Sequence, residues 1–194
     1  MRALLDRLYG ASLMASAGFI MAICAIVIGQ VVLNLVDRIA SVFFGGAIGL
    51  TIPSYADFTG FFLAAATFLA LAGTLRQGGH IRVTLLTVML PPAIRRVFEI
   101  GCVLLAGAIT LYASWYLFSL VTESWRYNDL SSGMVAVPLW IPQLAMVAGL
   151  VILAIALIDE FVCMIAGAKA SWHGKGENLL ANVSAEESGK SREP

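Results

Sequence analysis

Four long apolar stretches, separated by short segments that carry charge, dominate the sequence. No charged residue occurs between Arg7 and Asp37, and the stretches 58–75, 100–122 and 130–158 are uncharged as well. A helix needs about 20 apolar residues to cross the hydrocarbon core of a bilayer. Because a helix satisfies all of its own backbone amides in lipid, the pattern predicts an all-α integral membrane protein with four transmembrane helices.

The composition strengthens this interpretation. Hydrophobic residues make up 60% of the chain and charged residues 12%, against about 45–50% and 25% in soluble domains. Twelve basic and twelve acidic residues balance to no net charge, and the mean hydropathy is +0.89. These values exclude a soluble domain and a disordered polypeptide. They also exclude a nucleic-acid partner, since no basic surface remains to attract phosphates.

The chain divides into a membrane domain at 1–169 and a polar tail at 170–194, which we expect to be cytoplasmic and disordered. The predicted spans are 10–36, 57–75, 96–122 and 138–166. The first apolar run is about twice as long as the core of a signal peptide, so we interpret it as an uncleaved span.

A short segment before the third span, 80–90, alternates polar and apolar positions at helical spacing. Pro91 and Pro92 follow it and suit the first turn of the next helix. The pattern predicts a short helix lying in the membrane interface. The alternative is that this segment forms the entry to a longer third span.

The basic residues predict the orientation of the spans. The second connection is rich in arginine, whereas the first and third contain one each, Arg38 and Arg126. The arginines of the second connection are Arg76, Arg82, Arg95 and Arg96. Basic connections remain in the cytoplasm, so we expect both termini to be cytoplasmic. Aromatic residues gather near the third connection, where rings mark a membrane interface: Trp115, Tyr116, Trp125, Tyr127 and Trp140.

Ionisable and polar residues near the spans have structural interpretations. Asp159 and Glu160 fall at the end of the fourth span, and we expect them to pair with the arginines of the second connection; a proton relay is the alternative. Asp57 begins the second span, where a helix N-terminus favours an acid. Gln30 and Asn34 lie on one face of the first span and are predicted to hydrogen-bond across helices.

The residues that most catalytic and cofactor sites need are missing. Cys24, Cys102 and Cys163 are spread over three spans and are predicted to be packing residues. The two histidines, His80 and His173, lie outside the spans, which removes the axial ligands of a membrane haem protein. No nucleotide-binding, metalloprotease or serine-hydrolase motif occurs. We therefore predict no enzyme activity, cofactor or metal site.

Two motifs carry a family resemblance. Residues 76–83 read Arg-Gln-Gly-Gly-His-Ile-Arg-Val, followed by Leu90-Pro91 and Arg95-Arg96, and a Pro-Leu-Trp-Ile-Pro-Gln segment begins at Pro138, with Gly149 after it. Together they resemble the small membrane subunit, DctQ-like, of tripartite ATP-independent periplasmic (TRAP) transporters, over about residues 8–167. Family members often have Trp and Glu where this chain has Tyr55 and Asp57.

The resemblance implies a bacterial inner-membrane protein that works beside a large multi-span permease subunit and a periplasmic substrate-binding protein. It implies sodium-coupled uptake of an organic acid, such as a dicarboxylate or sialic acid, with this chain as a scaffold in the lipid bilayer. Residues of the two motifs and the polar positions of the spans become candidate subunit-contact or structural residues: Gln30, Asn34, Asp57, Arg76, Gly78, Gly79, His80, Arg82, Arg95 and Arg96.

Two other functions stay open. The chain could be a self-contained four-span carrier that works as a dimer, although such carriers usually hold a charged residue within a span. It could also be a membrane assembly or scaffold protein unrelated to transport, which only the motif resemblance argues against.

Overall fold

Four helices make up most of the described chain. The structure, a computed structural model, describes residues 2–46, 48–77 and 91–165. The helices are α1 (Arg2–Phe44), α2 (Tyr55–Gln77), α3 (Pro92–Tyr127) and α4 (Trp140–Ile165). Each is long and apolar enough to cross a membrane, which confirms the prediction of an all-α membrane protein with four spans. The segment 80–90 and the tail 170–194, for which an interfacial helix and disorder were predicted, lie outside the described residues.

The helices run past the charged residues that bounded the predicted spans. α1 continues through Asp37 to Phe44 and includes the start of the apolar segment 41–53, which sequence placed in a connection. α3 extends to Tyr127, and Asn128 ends it in the left-handed conformation with φ 52°. Charged side chains mark where a helix leaves hydrocarbon, but they do not stop its backbone hydrogen bonds, so a helix continues until its backbone turns.

In space the helices are ordered α1–α2–α4–α3, with only a small additional contact between α1 and α4. α2 and α4 run parallel to each other, and each pairs with an antiparallel neighbour, α1 and α3 respectively. The starts of α1 and α3 and the ends of α2 and α4 therefore meet at one end of the molecule, which we call the Arg76 end. The opposite end is the Trp140 end.

The contact between α1 and α2 depends on small residues and hydroxyl groups. Ser12 Oγ donates a hydrogen bond to the carbonyl of Leu69, and Ser16 Oγ donates to the carbonyl of Ala66 at 2.7 Å. Both serines are buried. Small and hydroxyl side chains let membrane helices approach closely and bond to each other, so this face joins the first two helices into an antiparallel pair.

The contact between α2 and α4 is closer still. A Cβ atom placed on Gly149 would lie 2.5 Å from the carbonyl carbon and oxygen of Phe68. Because those atoms belong to the backbone of α2, no side-chain rotation could make room for it. Glycine at this position therefore sets the separation of the two central helices.

The buried core includes residues of all four helices and lies toward the Arg76 end: Tyr9, Ala72, Leu75, Val103, Ala156, Leu157 and Met164. The outer helices bury little. In the most apolar stretch of α1 only 6% of residues are buried, against 39% in α4. Cys24 and Cys102 are exposed on these outer helices, whereas Cys163 is half-buried. The packing role of the first two stays a prediction, since the described helices of this chain leave their thiols exposed.

Candidate functional site

A three-helix ion cluster forms at the Arg76 end. Arg76, in the last turn of α2, places Nη2 2.7 Å from Asp6 Oδ1 of α1 and Nη1 3.4 Å from Asp159 Oδ2 of α4. Its guanidinium carbon also lies 5.2 Å from the centre of the Tyr9 ring. Guanidinium groups favour such combined contacts with carboxylates and aromatic faces. One cation thus connects α1, α2 and α4, and the predicted pairing of Asp159 with an arginine of the second connection is confirmed.

Asp6 and Tyr9 were not identified from sequence, although a signal was present. They are three residues apart and therefore share one face of α1, where the uncharged run begins. Tyr9 is buried, with 3% of its surface exposed, whereas the Asp6 side chain is half exposed. The cluster therefore lies where the bundle interior opens to its surface, a position that suits a charged group at the edge of a membrane.

A second arginine connects α3 to α4 at the same end. Arg96 Nη2 donates to the carbonyl of Met164 at 3.1 Å, in the last turn of α4, where helical carbonyls have no partner within the helix. Glu160, 4% exposed, is buried nearby. All four helices are therefore joined by polar contacts at the Arg76 end. Arg95 occupies the first turn of α3.

The motif residues Gly78, Gly79, His80 and Arg82 lie outside the described residues. Their described neighbours are Gln77, which ends α2, and Pro91, which precedes α3. The described chain therefore leaves the Arg76 end at Gln77 and resumes there at Pro91.

At the Trp140 end, Gln30 is the main polar contact of α1. Its Nε2 donates to Asn34 Oδ1 and to Thr51 Oγ1, both at 3.0 Å, and its Oε1 accepts from the backbone amide of Ile52 at 2.8 Å. Gln30 and Asn34 do share a face, as predicted. The described bonds of Gln30, however, go to its own helix and to the first connection rather than to another spanning helix, because that connection runs back along α1.

The first connection is held against α1 at a second point. After a turn at Gly45, which has φ 73°, the backbone amides of Ile48 and Gly49 donate to Asp37 Oδ1 at 2.6 and 2.8 Å. A carboxylate that accepts two adjacent amides fixes both the position and the direction of the returning chain. The apolar segment 48–54 is thereby packed along α1.

Asp57 lies in the first turn of α2, where it faces the third connection. A Cβ atom on Gly133 would collide with the Asp57 carboxylate and would lie 2.6 Å from Ser54 Oγ. Ser54 Oγ in turn accepts from the backbone amide of Val135 at 2.8 Å. The first and third connections are therefore in contact with each other over the start of α2.

The third connection is compact. The amide of Ser131 donates to the carbonyl of Val137, and that of Leu139 to the carbonyl of Asp129, both at 2.9 Å. At its base the rings of Trp125 and Trp140 meet edge to face, 4.6 Å between centres. Trp115 and Tyr116 lie about 15 Å from Trp125 along α3, at 1.5 Å per residue.

These contacts fix helix positions and contain no arrangement typical of catalysis. Among the described residues, no group of three or more His, Cys, Asp or Glu side chains could hold a metal ion. The site combines charge pairs at one end with backbone-directed hydrogen bonds at the other, and uncharged apolar runs lie between the two ends. Fold and site together define a multi-pass membrane protein with four spanning helices.

Comparison with known families makes the class specific. The profile of the DctQ component of tripartite ATP-independent periplasmic transporters matches residues 38–167, which is about two thirds of the chain. The protein therefore belongs to the DctQ family, a family of transporter components rather than of enzymes. No curated protein matches the sequence. The resemblance found in the motifs at Arg76 and Pro138 is thus confirmed at the level of the family.

Proposed function

We propose that this chain is the small permease subunit of a sodium-coupled TRAP transporter for organic acids in a bacterial inner membrane. It serves as a fixed membrane scaffold for the large permease subunit and helps to dock the periplasmic substrate-binding protein. The observation that carries the proposal is the family match over residues 38–167, which contains all of α2, α3 and α4.

The contacts within the chain support a scaffold role. Arg76 connects three helices, Arg96 connects α3 to α4, and Gly149 sets the separation of α2 and α4. A scaffold has to keep its shape while another subunit moves, and these contacts resist relative motion of the helices. Ion-coupled carriers usually place a charged group within the membrane, whereas the apolar runs here are uncharged. We therefore assign the sodium and substrate sites to the large subunit.

The orientation follows from charge. Both chain termini leave the bundle at the Arg76 end, and the arginine-rich second connection begins and ends there as well. Because basic segments remain in the cytoplasm, we propose that the Trp140 end faces the periplasm. The first and third connections, joined through Ser54 and Val135, then form the surface that meets the binding protein.

Orientation can be measured separately. Fusions of green fluorescent protein and of alkaline phosphatase to the C-terminus should give a fluorescent protein in the first case and an inactive phosphatase in the second. An active phosphatase would place the Arg76 end outside and would move the proposed docking surface to the other side of the membrane.

The decisive experiment is capture followed by reconstitution. The chain is tagged at its C-terminus and expressed in its native host. It should co-purify with a large multi-span permease at equal stoichiometry. Proteoliposomes that contain both subunits and the binding protein should take up a labelled dicarboxylate or sialic acid only with an inward sodium gradient. Omission of this chain should abolish uptake.

Other outcomes identify the alternatives. Uptake by proteoliposomes that contain this chain alone would show a self-contained dimeric carrier. Capture of a different membrane complex, with no permease and no uptake, would show an assembly protein unrelated to transport. Either result would refute the scaffold proposal.

A further inference from the structure

The outward face of α3 carries aromatic and hydroxyl side chains that none of the four described helices covers. Tyr112, Trp115 and Tyr116 are 65%, 74% and 59% exposed, and Ser119 is exposed too. Steps of three and four residues place the four side chains on one face of the helix. The rings of Tyr112 and Tyr116 lie 4.6 Å apart. We call this set the α3 stripe.

Tyr112, the first residue of the α3 stripe, lies deep in the membrane. α3 is held to α4 at Arg96 near its start and at Trp125 near its end. Tyr112 lies about 24 Å from Arg96 and about 20 Å from Trp125 along the helix, at 1.5 Å per residue. The hydrocarbon core is about 30 Å thick, so Tyr112 lies near its middle. Tyrosine and tryptophan that anchor a protein in a bilayer lie instead at the two interfaces.

The outward face of α1 shows what a lipid-facing surface looks like in this protein. Residues spaced by seven along it, Met14, Met21, Ile28 and Leu35, are all more than half exposed, and none carries a hydrogen-bonding group comparable to a phenol or an indole. Lipid acyl chains can pack against such a face without leaving a hydrogen-bonding group unpaired. The Tyr112 and Tyr116 hydroxyls bond each other, but acyl chains offer no partner to the Trp115 indole or the Ser119 hydroxyl. Transfer of such a polar group to an apolar medium without a partner costs about 1–3 kcal/mol. The α3 stripe is therefore suited to a protein surface, and α1 to lipid.

The extent of the family match indicates which protein covers the α3 stripe. The matched residues, 38–167, contain all of α3 but omit the first 37 residues, and with them most of α1. A surface within the segment that defines the family suits a partner that the family shares. We propose that the α3 stripe packs against a transmembrane helix of the large permease subunit. This inference rests on the proposed function and specifies the contact surface for it.

The chemistry of the α3 stripe also predicts which side chains the partner helix carries. Polar side chains in membranes pair across helices with hydroxyl, amide or backbone carbonyl groups, and small residues allow the close approach that such bonds need. The matching face of the permease helix should therefore carry small and hydroxyl residues rather than a row of leucines.

Site-specific photocrosslinking tests the contact directly. p-Benzoylphenylalanine replaces Trp115 on the stripe or Met21 on the exposed face of α1, in cells that co-express the large subunit. We expect a crosslink to the large subunit from position 115 and none from position 21. A crosslink from position 115 to a second copy of this chain, or only to lipid, would overturn the inference.

Matched tryptophan substitutions provide a second test. Ala108 lies one turn before Tyr112 on the stripe, and Ala17 lies between Met14 and Met21 on α1; both are exposed. We expect Ala108→Trp to reduce co-purified permease at least tenfold and Ala17→Trp to reduce it less than twofold. Equal yields with the two variants would refute the stripe as the contact.

The two proposals fail in different ways. If the unmodified chain captures no permease, the proposed function is wrong, and the inference falls with it. If the unmodified chain captures the permease while position 115 gives no crosslink to it, the function stands and the assigned surface is wrong. Equal thermal stability of both tryptophan variants, measured in detergent, shows that lost capture does not result from misfolding.

Discussion

The two ends of the bundle are stabilised by different interactions. At the Arg76 end, side chains from separate helices meet through charge: Arg76 contacts Asp6 and Asp159. At the Trp140 end, side chains instead bond the backbone of the connections: Gln30 bonds Ile52, Asp37 bonds Ile48 and Gly49, and Ser54 bonds Val135. The first end therefore joins helices to each other, whereas the second gives the connections their shape.

This difference has consequences for each end. A charge pair that is partly shielded from water stabilises little when intact but leaves an uncompensated charge when one partner is removed. A hydrogen bond to backbone contributes about 1 kcal/mol, and its loss affects one local segment. We therefore expect changes at the Arg76 end to loosen helix packing, and changes at the Trp140 end to alter the connections while the helices stay packed.

The largest effect should come from the contact that the two ends share. Gly149→Leu places a side chain against the backbone of Phe68, so α2 and α4 must separate and both ends should loosen together. Overpacking of a close contact costs about 1–3 kcal/mol and more where backbone cannot move. Titration of the protein with SDS in mixed micelles, followed by tryptophan fluorescence, should show unfolding at a much lower SDS fraction.

Gly107→Leu is the control for this prediction, since nothing lies within 4 Å of a Cβ at that position. It should unfold close to the unmodified protein. Equal unfolding of the two variants would mean that the α2–α4 separation does not depend on Gly149.

Arg76→Met should loosen helix packing at the Arg76 end alone. The substitution leaves Asp6 and Asp159 without their shared cation, and loss of one partner of a buried pair costs about 3–5 kcal/mol. Because Asp6 is half exposed, we expect about 2 kcal/mol, seen in the same SDS titration. Cysteine crosslinking between the first and third connections, at the Trp140 end, should be unchanged.

The matched control is Arg38→Met, which removes an exposed arginine of α1. Its unfolding should shift by less than 0.5 kcal/mol, as for most surface changes. If both arginine variants behave alike, the ion cluster contributes nothing to packing.

Gln30→Leu should affect the Trp140 end with a smaller effect. The variant keeps the side-chain volume but removes the hydrogen bonds to Thr51 and to the backbone amide of Ile52. The Ile52 amide then loses its partner, and an unsatisfied buried amide costs about 1–3 kcal/mol. We expect faster hydrogen exchange at residues 48–52 and little change in the SDS midpoint. Gln143→Leu, on α4, should leave exchange of this segment unaltered; a large midpoint shift for Gln30→Leu would show that the two ends are not independent.

Gly133→Ala should have the smallest effect. The new methyl group meets the Asp57 carboxylate and the Ser54 hydroxyl, and the carboxylate can rotate away, so the cost should stay near 1 kcal/mol. Hydrogen exchange of residues 131–137 should rise. The double variant Gly133→Ala, Asp57→Ala should restore slow exchange, and failure to do so would place the clash elsewhere.

Sequence was sufficient for the number of spans and for part of the ion cluster. Uncharged runs set the spans because a charge within hydrocarbon is costly. Asp159 was paired with the arginines of the second connection because few opposite charges exist at that end of the chain. Asp6 was missed because the uncharged run was counted from Arg7. Choosing the residue before Arg7 as a partner would have required knowledge of how α1 is rotated about its axis.

Other features depend on geometry that sequence does not contain. The contact of Gly149 with Phe68 requires the rotation of two parallel helices relative to each other. The distance of Trp115 and Tyr116 from the end of α3 was not predicted, because the third span was predicted to stop at 122, whereas α3 reaches Tyr127. The helix end depends on the left-handed conformation of Asn128, which charge patterns do not report.

The position of Arg76 between two acids also bears on how the protein is made. Asp6 precedes Arg76 in the chain, but Asp159 emerges from the ribosome 83 residues after it. At a synthesis rate of about 5–20 residues per second, roughly 4 to 17 s pass between the synthesis of Arg76 and that of its second partner. During that interval the half-made protein holds the arginine through Asp6 alone, so the α1–α2 hairpin can enter the membrane with its charge already matched before the remaining spans arrive.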